Sequence, residues 1–290
     1  MSEVAISGAE LGLSPTRRLR RRFPFLIGFC FLVIGVVVVC AIFGSLIAPH
    51  DPNQQNLLVG LTSPSRDFWL GTDDLGRDVF SRVIVGARTA IVGPIIIALG
   101  AMIIGNTLGL IAGYKGGAVD ATIMRWVDLM WALPGLLIAI VVVGVLGGGY
   151  WLAVALLIIL TAPYDTRIVR GATLEQRPLP YVEAARTLGL RDRRIMVRHI
   201  WPNVLPLVVA NTFLNFAFTL VTLSALSFLG LGVGPGTPDW GRMLAESRTL
   251  LFDNPWAALA PGLMIVITAA SMNLIGDWLY EWMSDRGRAR

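Results

Sequence analysis

Long apolar stretches set the strongest limit on how this chain folds. About 20 helical residues cross the hydrocarbon core of a bilayer, and lipid offers backbone groups no hydrogen-bond partner, so each spanning stretch must be helical. With 55% hydrophobic and 15% charged residues, the 290-residue chain supplies six such stretches. They are Phe25–Ile47, Thr89–Ala112, Ile123–Leu146, Tyr150–Ile168, Val204–Phe228 and Trp256–Tyr280.

The sequence therefore predicts an all-α membrane protein whose residues 25–282 form six transmembrane helices. Pro163 and Asp165 interrupt the fourth stretch, so counts of five or seven spans also stay open. Pro134 lies in the third stretch and predicts a kink there, because proline removes one helical hydrogen bond.

The positions of the arginines predict which side of the membrane each segment faces. Of the 24 Lys and Arg residues, one group precedes the first span and another occupies residues 170–203. Cytoplasmic loops carry an excess of Arg and Lys, so the tails 1–24 and 283–290 and the loop 170–203 are predicted to be cytoplasmic. Because membrane orientation explains the basic balance, no nucleic-acid partner is indicated.

Residues 48–88 and 229–255 are then extracytoplasmic, and the first segment predicts a short helix. Thr72 suits an N-cap with acidic residues in the following turn. Apolar residues recur after it at helical spacing, at Leu75, Val79, Val83 and Ala87. This pattern predicts an amphipathic helix on the membrane surface before the second span. The nearby aspartates do not have EF-hand spacing, so no calcium site is predicted.

Small residues recur every four positions in the second span, at Gly105, Gly109 and Gly113. Small residues in register let helix backbones approach closely in membranes. We predict that this stripe packs against another span or a partner subunit. A pore-lining role is less favoured, because glycine has no selective side chain.

The cytoplasmic segment 170–203 predicts a helix–glycine–helix unit. Pro180 suits the first turn of a helix, and Val182–Leu188 supply two turns. Gly189 can take the left-handed conformation that ends a helix, with Leu190 folding back. Asp192 is then expected to cap a second helix that runs to about Trp201, before Pro202 and Pro206 set the entry into span five.

Several motifs resemble one family, the second ("C-type") permease subunit of dipeptide, oligopeptide and nickel ABC importers. They are Glu183-Ala-Ala185 with Gly189, Trp69–Arg82, Ser227–Val233 and Pro238–Leu244. The resemblance implies a type I ABC importer permease fold in the bacterial inner membrane. It also implies four partners, namely a second permease, two ATPases and an extracytoplasmic binding protein.

In that family, the segment that corresponds to residues 170–203 contains the coupling helix, which binds in a groove on the ATPase. The resemblance therefore assigns coupling to Glu183, Ala184, Ala185, Arg186, Gly189, Leu190 and Arg191. The small alanines are expected to form a smooth face that the ATPase approaches. ATP and Mg²⁺ would be bound by the partner ATPases and no cofactor by this chain.

Polar residues form a stripe on the fifth predicted span, at Asn211, Asn215, Thr219 and Thr222. Intramembrane polar groups face a water-filled cavity or other helices, and both interpretations stay open. An uncharged, mildly polar cavity wall suits peptides. Nickel, the alternative cargo, would favour histidine or carboxylate ligands at this depth.

Residues for catalysis are missing from the sequence. The sole lysine, Lys115, is followed by Gly116, so no phosphate-binding loop ending in Lys-Ser or Lys-Thr is present. The two histidines, His50 and His199, are predicted on opposite membrane sides, and no metal site is expected. A secondary transporter is a remote alternative that would predict ionisable residues within spans and inverted repeats.

Overall fold

The computed structural model describes residues 24–288, which are helical apart from loops and one isolated β-bridge. The helices are α1 (Pro24–Ile47), α2 (Val79–Lys115), α3 (Gly117–Trp131), α4 (Gly135–Val145), α5 (Tyr150–Gln176), α6 (Pro180–Thr187), α7 (Asp192–Ile195), α8 (Trp201–Phe228), α9 (Trp240–Glu246) and α10 (Trp256–Arg288). A π-helical turn (Met196–Ile200) joins α7 to α8, and a 3₁₀ turn (Ser247–Thr249) follows α9.

The long helices confirm the predicted all-helical membrane fold. Within the described residues, five helical segments are long and apolar enough to cross a bilayer, namely α1, α2, α5, α7 to α8 and α10. A sixth span is formed if α3 and α4 count as one broken pair, bent by 77°. This bend lies at Pro134, where the sequence predicts a kink, and it divides the third predicted span into two helices.

Pro134 lies at the break between α3 and α4, whereas Pro163 does not interrupt α5. Pro134 ends the break between α3 and α4 with an extended backbone (ψ 115°), and a residue that precedes proline avoids the helical region. Pro163, in contrast, lies inside α5, which continues unbroken past Asp165 to Gln176. The fourth span is thus longer than its apolar stretch.

The helix predicted after Thr72 begins later and is not separate from span two. Asp78 is the N-cap, since its side chain accepts from the Phe80 and Ser81 amides, and α2 runs from Val79 through the membrane. Thr72 instead donates its hydroxyl to the Gly60 carbonyl within the preceding loop. The predicted apolar stripe is buried against protein, because Val79 and Val83 pack in one core with Trp240.

Buried charges, rather than a solvated helix face, hold this outer loop in place. The Arg77 Nε lies 2.6 Å from Asp73 Oδ2, and the Arg77 Nη2 lies 2.9 Å from Glu246 Oε2 on α9. Arg82 Nη2 contacts the same Glu246 oxygen at 3.2 Å. The network joins the loop before α2 to the loop before α10, so both outer segments form one folded unit.

The glycine stripe of α2 lies against α5. A Cβ added to Gly109 would lie 2.7 Å from the Val169 Cβ, and one added to Gly113 would lie 2.7 Å from the Thr173 Cβ. Gly105 meets the Cβ of Asp165 in the same way. Because both stripes repeat every four residues, the two helices pack in register over about three turns.

Candidate coupling loop and translocation cavity

The cytoplasmic loop folds as a helix–glycine–helix unit around α6. Pro180 occupies the first turn of α6, where its missing N–H costs no hydrogen bond. Val182 and Ala185 point inward and pack in a core with Ile195 and Ile200. Hydrophobic burial therefore fixes the orientation of a helix that is only 8 residues long.

Gly189 ends α6 in the manner that the sequence predicts. Its φ is +73°, the left-handed region that favours glycine. The Leu190 amide donates to the Ala185 carbonyl at 3.2 Å and the Gly189 amide donates to the Arg186 carbonyl at 2.9 Å. These two bonds form a Schellman motif, and Leu190 packs against the same core as Val182.

The second helix of the unit differs from the prediction. Arg191, not Asp192, is the N-cap residue, and the Asp192 carboxylate accepts a hydrogen bond from the Tyr114 hydroxyl at 2.9 Å. The helix does not end near Trp201, because α7 passes through the π turn into α8. Pro202 and Pro206 lie inside that continuous helix. The loop is thus joined to span five without a flexible linker.

The residues assigned to coupling divide between an open face and an inner face. Glu183, Ala184, Arg186 and Gly189 are exposed, whereas Ala185 is buried, so Ala185 does not contribute to a smooth outer face. Leu188 is 79% exposed at the tip of the loop. Leu188 was not among the sequence-predicted residues, and its position just before Gly189 is the signal that could have found it.

Contacts from Tyr114 anchor the unit to the end of α2. The Arg186 guanidinium lies 4.9 Å from the centre of the Tyr114 ring, and its Nε lies 3.3 Å from the Tyr114 hydroxyl. On the other side of α6, Tyr181 donates to Gln176 at 2.8 Å and accepts from Asn203. Burial raises the pKa of the Tyr181 hydroxyl further above neutral pH, and a tyrosine hydroxyl with its ordinary pKa of about 10 is already protonated there.

A partly open cavity of about 940 Å³ lies between the helices. Its walls come from α3, α4, the break between them, α5, α8 and α10, and they are mostly apolar and aromatic. Trp131 and Tyr164 stack with ring centres 6.1 Å apart at its wall. The Arg167 guanidinium lies 4.5 Å from the Trp131 ring centre and 2.7 Å from Asp128.

The polar stripe of α8 both lines the cavity and forms hydrogen bonds to another helix, the two interpretations that the sequence left open. Asn215 and Thr222 line the cavity, whereas Asn211 and Thr219 do not. Thr219 is fully buried and donates to the Asn215 carbonyl at 2.7 Å. Asn211 and Asn215 each donate an amide hydrogen to Asp165 on α5, the latter at 2.6 Å. Interhelical hydrogen bonding and cavity lining therefore occur in neighbouring members of one stripe.

Asp165 is the site residue that sequence reasoning missed. It appeared only as an interruption of an apolar stretch, but it lies 2% exposed where α5 contacts α8. The available signal was a carboxylate within a transmembrane stretch, which is expensive in lipid and by default functional or paired.

The arrangement, a bundle of membrane-spanning helices with a partly open cavity between them, is that of the membrane-spanning subunit of a transporter. Residues 105–288 match the family described as "binding-protein-dependent transport system inner membrane component". Residues 16–69 match the N-terminal transmembrane domain of oligopeptide transport permease C. The chain belongs to this family of ABC importer permeases, and it is a multi-pass, non-catalytic inner-membrane subunit.

Relatives among characterised proteins are similar over most of their length. The glutathione transport system permease protein GsiD of Pectobacterium atrosepticum is 39% identical over 86% of this chain and 83% of its own. The dipeptide transport system permease protein DppC of Alkalihalophilus pseudofirmus is 37% identical over 86% and 82%. The probable D,D-dipeptide permease DdpC of Escherichia coli is 34% identical over 88% and 86%.

Solved structures share the fold at lower identity. Inward-facing conformations of the MetNI methionine ABC transporter match with TM-scores of 0.59 and 0.56 at 19% and 17% identity. Each match covers 70% of this chain, and it covers 97% and 96% of the respective MetNI chain. The similarity supports the permease fold. Membership of a binding-protein-dependent ABC system further implies ATPase and binding-protein partners.

Proposed function

We propose that this chain forms one half of the translocation pathway of an importer for dipeptides and related small peptides. The observation that carries the proposal is the 940 Å³ cavity, which the helices of this chain enclose only in part. A cavity that one chain leaves partly open needs a second subunit to close it, and we assign that role to a related permease. The proposed pathway then lies between the two subunits.

The chemistry of the cavity wall supports a peptide cargo. Asn215 and Asn273 offer amide groups at a wall that otherwise carries aromatic rings and aliphatic side chains. Amides match the backbone groups that all peptides share, and the apolar surface tolerates varied side chains. The relatives named for glutathione, dipeptides and D,D-dipeptides point to the same class of substrate.

The loop around α6 is proposed to transmit the motion of two ATPases, which bind ATP and Mg²⁺. Its exposed tip at Leu188 and the exposed Glu183 and Ala184 would contact one ATPase. Because α7 continues into α8, a displacement of the loop moves span five as a rigid rod. Such rigid-body motion would alternate the cavity between inward-open and outward-open states.

The outer loops are proposed to receive the binding protein. The buried network of Asp73, Arg77, Arg82 and Glu246 makes residues 48–88 and α9 one rigid unit. A rigid outer surface lets a docked protein deliver its peptide above the pathway, because little ordering entropy is lost on docking.

Uptake by the reconstituted transporter tests this function. Proteoliposomes that contain both permeases, two ATPases and the binding protein are given a labelled dipeptide, with glutathione and Ni²⁺ as alternative cargoes. ATP-dependent accumulation of a peptide is expected, and a non-hydrolysable ATP analogue should abolish it. Accumulation of Ni²⁺ without peptide uptake would contradict the proposed cargo, and uptake without ATPases would contradict the ABC mechanism.

A further inference from the structure

A buried carboxyl group lies at the junction of α2, α5 and α8. Asp165 is 2% exposed, and its Oδ1 accepts the amide hydrogens of Asn211 and Asn215 from α8. Its second oxygen, Oδ2, has no hydrogen-bond partner among the described residues. Buried polar atoms in proteins nearly always have partners, so this oxygen requires an explanation.

A second orphaned group lies beside it. Asn106 on α2 is 6% exposed, and neither its Oδ1 nor its Nδ2 has a partner within residues 24–288. Asn106, Asp165 and Asn211 line the same small gap between the three helices, with Met102 and Val208. The gap has almost no room for a water molecule in this packing, so a bridging water does not account for these atoms.

Among the described helices that pack against α5, none brings a positive charge to Asp165. Helices α4 and α8 contain no charged residue, and the charged residues of α2 lie in its first turns and at its end, at Arg82, Arg88 and Lys115. On α3, Asp120 and Asp128 pair with Arg170 and Arg167 of α5, and Arg125 is exposed. A carboxylate at Asp165 would thus be an unpaired charge within the membrane domain, which is costly.

We propose that Asp165 is a proton-binding site, with a proton on Oδ2 that is donated into the gap shared with Asn106. One proton removes the unpaired charge and needs no space of its own. The neutral acid is one O–H donor with its remaining acceptor capacity intact. Its Oδ2–H group therefore provides a donor for the Asn106 carbonyl, while Oδ1 keeps its bonds to Asn211 and Asn215.

The site is one side chain away from the translocation cavity. Asn215 donates to Asp165 and also lines the 940 Å³ cavity. If α8 moves relative to α5, the hydrogen bonds from Asn211 and Asn215 to Asp165 break. Cavity water then reaches the carboxyl group, which exchanges its proton. This consequence rests on the proposed transport function, whereas the proton site itself rests on the packing.

Infrared spectroscopy of the complete transporter in proteoliposomes tests the proton site. A protonated carboxyl group has a C=O stretching band that is distinct from that of a carboxylate. At neutral pH we expect a protonated-carboxyl band that is lost in Asp165→Asn, which keeps the shape and hydrogen bonds of the neutral acid. The matched control Asp128→Asn, at an exposed carboxylate, should leave the band unchanged. An identical band in the wild type and Asp165→Asn would overturn the proposal.

Two further measurements keep the test decisive if Asp165→Asn does not assemble. Labelling with carboxyl-¹³C aspartate should shift the band, and Asn106→Ala should move its frequency upward by removing the acceptor. A band that responds to neither change would refute the assignment. Uptake on the same vesicles separates the two claims, since absent peptide uptake by the wild type contradicts the proposed function alone. We expect peptide uptake by the wild type to vary with pH and uptake by Asp165→Asn not to vary.

Discussion

Single residues with special backbone or charge requirements determine the shape of the two loops that we propose as partner contacts. Gly189 is the clearest case in the cytoplasmic loop, because its φ of +73° lets α6 stop and Leu190 fold back. A Cβ at Gly189 would meet no atom within 4 Å. The requirement for glycine is therefore conformational and not steric.

Gly189→Val should uncouple transport from ATP hydrolysis while the protein still inserts into the membrane. A side chain in the left-handed region costs about 1–2 kcal/mol, and a β-branched side chain is especially unfavourable there. We expect lower peptide uptake per ATP hydrolysed. Gly171→Val is the matched control, because Gly171 also has open space around its Cβ position but an ordinary helical backbone. Equal uptake by the wild type and Gly189→Val would contradict the coupling role.

Glu246 has the corresponding role on the outer side. Removing it leaves the Arg77 and Arg82 side chains, 4% and 1% exposed, with less compensating charge. Glu246→Ala should lower the free energy of unfolding by about 3 kcal/mol, since breaking a buried pair leaves an uncompensated charge. Asp128→Ala breaks an exposed pair and should cost less than about 1 kcal/mol. Thermal unfolding in detergent measures both, and equal Tm values for the two variants would contradict this argument.

At the scale of helices, the sequence predicted the elements whose signal is local. Hydropathy located the spans, and the proline and glycine around α6 located that helix and its end. The start of α2 also has a local signal, the Asp78 cap, although the prediction placed the cap at Thr72. The inward direction of Ala185, in contrast, depends on contacts with distant residues. The hydrogen bonds of Asp165 belong to the same class, because Asn211 and Asn215 are far away in sequence.

The contact between α2 and α5 makes a prediction at this scale. Gly109→Val places a branched side chain where the Val169 Cβ and the Thr166 carbonyl lie 2.7 and 2.8 Å from an added Cβ. Overpacking of this kind costs about 1–3 kcal/mol, so the variant should unfold at a lower temperature. Gly35→Val on α1, where nothing lies within 4 Å, should keep the wild-type Tm. Unchanged stability of Gly109→Val would show that the two helices do not pack through this stripe.

At the scale of the whole molecule, two folded surfaces lie at opposite ends of the described bundle. The outer unit is held by buried ion pairs and the cytoplasmic unit by an apolar core around Val182 and Ile195. The cavity lies between them, and α8 connects the cytoplasmic unit to the cavity wall through Asn215 and Thr222. This connection is the mechanical route that the proposed coupling would use, from a partner at α6 to the cavity.

Site-directed crosslinking in the assembled transporter tests that route directly. Leu188→Cys places a thiol at the exposed tip of the loop, and we expect it to crosslink to an ATPase in a yield that changes with nucleotide. Leu58→Cys is the matched control, because Leu58 is fully exposed in the outer loop, and it should not reach an ATPase. The two native cysteines are free, with Cys30 buried and Cys40 partly buried. Replacing both with alanine leaves the introduced thiol as the reactive one in this chain. If Leu188→Cys formed no crosslink in any nucleotide state, the loop would not be the ATPase contact, and α8 would need another source of motion.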